Sequence, residues 1–250
     1  MAIAAVIVSC SPPQEYTESQ TAPKPPESQN QPGYRLPDLS ADTAPFKMAI
    51  LGDNTSKLDG GWTNIFANWL STRFNRTVII NGIETPDATD YSIVKQIDKG
   101  SRYPIELWNA AVPNMTMQQV ADRISILLPF DTESQPDLVM FSQGHNSGTR
   151  SLARTAIPIL KNIRGRYPTA EILVILQNPW LEREDPQNTN ALNVEDLKTS
   201  AKNSGFQTLD IYSAFNQDPR PLENLLDISG TFPSADGYIL WSQIVETKIQ

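Results

Sequence analysis

A chain of 250 residues is long enough to close one sizeable α/β core with a tail besides, and too short for two such domains. Its formal net charge is −8, and its 20 Lys and Arg are scattered among 28 Asp and Glu, which argues against a nucleic-acid partner, since phosphate neutralisation needs clustered cations. With one cysteine and one histidine, internal disulfides and thiolate metal clusters are excluded; neither a glycine-rich dinucleotide loop nor metal-ligand spacing is present, so no cofactor and no metal is expected.

In chain order, Met1 to Cys10 is an apolar run ending Ile7-Val8-Ser9-Cys10. It resembles a bacterial lipobox, in which a small residue precedes a cysteine that is lipidated. The resemblance implies an extracytoplasmic protein held to a membrane through acyl chains on Cys10, because so short a run cannot cross ~30 Å of hydrocarbon. Residues 11–45 are rich in Pro, Ser, Gln, Glu and Thr and bury too little apolar surface to offset chain entropy, so they are expected to form a disordered tether. A folded domain over residues 46–250 follows.

Within that domain short apolar runs alternate with amphipathic stretches, the pattern of β-α-β units around a parallel sheet. Strands are expected at 47–51, 78–80, 105–108, 138–141, 172–176 and 208–211. Helices are expected at 61–73, 117–128, 149–164, 191–203 and 235–249, with Thr116 capping the second and Gly205 stopping the fourth. Three polar blocks then fall at the C-terminal ends of strands, where open α/β sheets place their ligand crevice.

Those blocks are Gly52-Asp53-Asn54-Thr55, Asn109-Ala110-Ala111 and Gly144-His145-Asn146-Ser147, and a fourth, Phe232-Pro233-Ser234-Ala235-Asp236-Gly237-Tyr238, leads into the last helix. Their order and spacing resemble the SGNH/GDSL hydrolases. The resemblance covers residues 46–250 and implies a three-layer α/β/α sandwich with a parallel, flavodoxin-like sheet. In that family the first block supplies a serine nucleophile, the last a histidine and an aspartate, and the middle two an oxyanion hole from a glycine N–H and an asparagine side chain. Carried over, the nucleophile position is Asn54, the Gly position Ala111, the Asp position Ser229 and the His position Phe232; Asn146 is retained. An amide cannot form an acyl-enzyme, and phenylalanine has no proton-accepting atom.

His145, the lone histidine, is the alternative base, and a rebuilt set could draw on Ser142, Ser147, Thr55 or Ser56 with Asp53 or Asp227. Against this stands its reading as a hydrogen-bonded loop residue. Asp53 has two readings as well, a ligand contact or a carboxylate accepting backbone N–H groups in its turn. Trp180 is either a ligand contact or a loop anchor; Trp62, Trp108 and Trp241 are expected in the core more than in a groove. Three functional readings follow: a surface lipoprotein binding an acylated glycan, lipid or other envelope ligand at Asp53, Asn54, His145, Asn146 and Trp180 with little esterase activity; a hydrolase or acyltransferase centred on His145; or a structural module. Oligomeric state is left open.

Overall fold

A fully buried apolar run, Met48 to Leu51, lies at the centre of the sheet. In a computed structural model, which describes residues 39–40, 43–57, 59–97, 100–131, 133–146, 151–181, 184 and 187–249, β1 (Phe46–Gly52) is flanked by β4 (Arg102–Asn109) and β5 (Leu138–Ser142). With β2 (Arg76–Gly82), β3 (Ile93–Ile97), β6 (Glu171–Leu176) and β7 (Gln207–Asp210) the order is β3-β2-β4-β1-β5-β6-β7. Every pairing is parallel except β2 with β3. Because β1 and β5 are covered on both faces, they read as continuous apolar runs and not as alternating ones.

Successive residues of each central strand feed opposite cores. Met48, Ile50 and Met140 meet α1 (Trp62–Phe74) and α8 (Ala235–Ile249) on one side. Ala49, Leu51, Val139 and Phe141 meet α2 (Met117–Asp122), α4 (Leu152–Arg166) and α5 (Thr189–Asn203) on the other. A three-layer α/β/α sandwich results, its sheet mostly parallel. Among the described residues no helix is long and apolar enough to cross a membrane.

Differences from the sequence expectation have local causes. Strand β3 carries no apolar run: four of its five residues are exposed, as suits an edge strand with Lys95 at its middle, and it pairs antiparallel. The helix expected over 117–128 breaks at Arg123 into α2 and α3 (Ile124–Leu127), while Thr116 closes a full capping box with Gln119. Ile211 does not extend β7; Asp210 accepts a hydrogen bond from Ser213 N at 2.8 Å and starts α6 (Ile211–Gln217), followed by α7 (Leu222–Leu225). Helix α4 starts at Leu152, where Ser151 caps Arg154 N; Gly205, at φ +78°, follows the end of α5.

Leu39 is buried in the core, and the buried Arg76 guanidinium donates to Leu39 O at 3.3 Å and Ala44 O at 2.8 Å. A leucine and a set of backbone carbonyls suffice to hold this polar stretch, which composition alone assigns to the tether. Cys10 and residues 1–38, like Ser147, lie outside the described residues.

Candidate functional site

All four blocks converge on the C-terminal edge of the sheet. At the end of β1 the chain must turn sharply into a 3-10 turn, Asn54–Ser56, and Gly52 permits it: a Cβ there would lie 2.5 Å from Ser56 Cβ and 2.8 Å from Ala111 Cβ. Asn109, the last residue of β4, ties the 3-10 turn to the second block by donating Nδ2 to Ser56 O at 3.0 Å and accepting from Ala111 N at 2.8 Å. Ala111, the residue at the oxyanion-hole Gly position, therefore spends its N–H on Asn109.

Asp53 is fully buried and saturated with donors. Its carboxylate accepts from Thr55 N at 3.0 Å, Thr55 Oγ1 at 2.8 Å, and Gly144 N and His145 N at 3.2 Å each. Gln177 Nε2 lies 3.0 and 3.1 Å from its two oxygens. Gln177, directly after β6, also accepts from His145 N at 3.0 Å and donates to Ser142 O at 3.0 Å. This side chain escaped the sequence reading although it stands at the same edge as the blocks; its position after an apolar strand was the available signal. Asp53 thus straps together the ends of β1, β5 and β6.

Three of the candidate hydroxyls, Ser56, Ser142 and Thr55, are taken up in hydrogen bonds at this edge. Ser56 Oγ donates to Ser142 Oγ at 3.0 Å and accepts from Trp62 Nε1 at 3.1 Å, and all three residues are buried. Thr55 Oγ1 is held by Asp53 and Gln177. Trp62 and Trp241 stack in the core at 5.9 Å, and Trp108 packs edge-on against Tyr91 and Phe130.

The imidazole of His145 makes no hydrogen bond to Ser56, Ser142 or Thr55. Its Nε2 accepts from Trp180 Nε1 at 3.4 Å, and its Nδ1 is buried, with no hydrogen bond of good geometry to a described residue. The rings of Trp180 and Phe232 each lie 5.5 Å from it, so the residue at the family's His position packs against the one histidine of the chain. Burial pushes the His145 pKa down, against the opposing pull of Asp53 and the Asn178 backbone. A Ser-His-Asp set centred on His145 is not assembled among the described residues. Asp227 is engaged elsewhere, accepting from Ser229 N and from Ser229 Oγ; the Ser229 hydroxyl also meets Thr231 Oγ1 at 2.8 Å, all within one exposed loop.

Asn54 and Asn146 face each other. Asn146 Nδ2 donates to Asn54 Oδ1 at 3.1 Å and to Met115 O at 3.3 Å, and the backbone N–H of Asn114 donates to the same Asn54 oxygen at 2.6 Å. Asn114 adopts a left-handed backbone, φ +62°, which asparagine tolerates better than most residues. Beside Asn146 opens a cleft of about 230 Å³ lined by Thr116, Met117, Gln118, Ser151, Leu152 and Thr155. It continues between α2 and α4 past Ala121, Arg154, Pro158 and Ile159. Among the described residues no three His, Cys, Asp or Glu side chains are placed to hold a metal ion.

The sequence matches no protein-family model and no curated protein. Solved structures do resemble it. A lipase/acylhydrolase from Enterococcus faecalis is 14% identical and superposes with a TM-score of 0.58 over 82% of this chain and 95% of its own. An acetyl xylan esterase from Geobacillus stearothermophilus is 14% identical with a TM-score of 0.60, over 82% and 95%. A structure described as a GDSL-like lipase, from Parabacteroides merdae, is 11% identical with a TM-score of 0.60, over 82% and 96%. With the seven-stranded sheet and the four blocks gathered at one edge, these likenesses give the chain the fold of the SGNH/GDSL hydrolases.

Proposed function

We propose that this protein is an extracytoplasmic lipoprotein, anchored through Cys10, whose SGNH-like domain binds an acylated glycan or related envelope ligand and hydrolyses esters little or not at all. The observation that carries this reading is the engagement of the chain's single imidazole. With Nε2 on the Trp180 indole and Nδ1 buried, His145 has no serine to deprotonate, and the first block presents an amide in place of a hydroxyl. Loss of the nucleophile or of the base alone costs a triad hydrolase roughly 10⁶-fold in turnover, and the losses do not add. What supports binding is the part that stays open, the cleft beside Asn146. One structural neighbour is by its name an acetyl xylan esterase, so acetylated glycans are the ligand class to test first.

The purified protein is expected to leave p-nitrophenyl acetate unhydrolysed above background, and Asn54→Ser alone is expected not to create turnover, since no base stands behind position 54. Acetylated xylo-oligosaccharides are expected to raise the melting temperature, with the rise lost in Asn146→Asp and reduced in Trp180→Ala. Ester turnover that vanished in His145→Ala and survived Asn54→Ala would overturn the proposal in favour of a relocated catalytic set. Mass spectrometry of the mature N-terminus tests the anchor.

A further inference from the structure

The Asn54 side chain behaves as a ligand of its own site. Two donors from distant parts of the chain, the Asn114 backbone N–H at 2.6 Å and Asn146 Nδ2 at 3.1 Å, converge on a single oxygen, Asn54 Oδ1. This receptacle differs from the one the family pattern implies, because the Ala111 N–H is turned to Asn109 Oδ1 and Asn114, held left-handed, supplies the second donor in its place. Asn54 and Asn146 are both partly accessible, and Asn146 is also a wall of the 230 Å³ cleft. An entering ligand that reaches Asn146 from that cleft meets an occupied pair of donors.

The chemistry of the occupant indicates what can replace it. Asn54 presents CH₂–CO–NH₂, a tethered acetamide, and an amide carbonyl is a better hydrogen-bond acceptor than an ester carbonyl. The neighbouring residue is the buried carboxylate of Asp53, and among the described residues no Lys or Arg side chain donates to Asn54 or Asn146. A carboxylate held by these two amides would therefore sit beside a like charge, with no cation among the described residues bonded to either amide. The cleft wall is mostly uncharged and polar, from Thr116, Gln118, Ser151 and Thr155, with Met117 and Leu152 offering apolar surface. That combination suits the ring and hydroxyls of a neutral sugar.

We infer that the receptacle formed by Asn114 N–H and Asn146 Nδ2 takes the acetamido oxygen of an N-acetylated glycan, and that Asn54 is a built-in competitor for it. The inference rests on the ligand-binding reading given above and narrows it from acylated glycans to N-acetylated ones. Removing the competitor frees two hydrogen bonds, which together are worth roughly ten-fold or more in affinity.

The test is titration calorimetry of the full chain with N,N′-diacetylchitobiose, with deacetylated chitobiose, acetate and O-acetylated xylo-oligosaccharide as comparators. Asn54→Ala is expected to bind diacetylchitobiose at least about ten-fold more tightly than the wild type. Neither chitobiose nor acetate should gain, and Asn54→Ala/Asn146→Asp should lose the binding. In the wild type at saturating diacetylchitobiose, the side-chain amide NMR signals of Asn54 and Asn146 should both shift, a readout that needs no substitution. Equal affinity in wild type and Asn54→Ala, or acetate binding as well as the disaccharide, would overturn the inference. Binding of the O-acetylated sugar alone would overturn it while leaving the broader function standing; binding of no acylated sugar would remove both.

Discussion

Replacing Asp53 by alanine strips a buried carboxylate from five donor groups at once. Two of them find other acceptors, because His145 N also donates to Gln177 Oε1 and Gln177 Nε2 also donates to Thr55 Oγ1 and Ser142 O. The backbone N–H groups of Thr55 and Gly144 and the Thr55 hydroxyl lose the acceptors they have now, at 3.0, 3.2 and 2.8 Å. A buried donor left unsatisfied costs about 1–3 kcal/mol, so Asp53→Ala should destabilise by about 3–9 kcal/mol, a large share of the ~5–15 kcal/mol of a typical domain. Asp53→Asn preserves shape and one acceptor oxygen but turns an NH₂ group toward other donors, and should cost about 1–3 kcal/mol. Urea unfolding followed by the fluorescence of the buried Trp62 and Trp241 reads both, with m unchanged if the native state keeps its compactness. Should the alanine variant not fold, the asparagine variant still ranks against the wild type. An Asp53→Ala protein within about 0.5 kcal/mol of wild type would refute the view that this carboxylate is a strap between strands.

Two further outcomes are expected. Burial holds His145 below its ordinary pKa, so as pH falls the unfolded chain takes up this proton before the folded one does. The stability contributed by neutral His145 is therefore complete above about pH 6.5 and declines as pH falls from there toward the folded pKa. His145→Phe should flatten that limb of a stability profile measured by urea unfolding, and an unchanged slope would show that the imidazole is not held neutral by its surroundings. A chain starting at residue 46 loses buried Leu39 and two carbonyl acceptors of Arg76, and should be less stable than one starting at residue 35 by about 3–6 kcal/mol. Coincident urea midpoints for the two would show that residues 39–44 add nothing to the fold.

Much of this architecture is readable along the chain, since the signals involved are local. Apolar runs such as Ile172 to Leu176 mark strands, Thr116 with Gln119 marks a helix start, and the polar residues that follow strands must fall on one edge of a parallel sheet. Identity also establishes that position 54 is an amide and that one imidazole serves the whole chain. Strand β3 was illegible for the opposite reason, as an exposed edge strand needs no apolar pattern and is held by its partner. Orientation at the site belongs to tertiary structure. Whether His145 meets a serine or an indole, whether Asn146 faces solvent or Asn54 across 92 residues, and that Gln177 underlies Asp53 across 124, depend on how strand ends are juxtaposed. No local propensity encodes those distances, because each is set by the sheet order that packs β1 between β4 and β5 and carries β6 alongside.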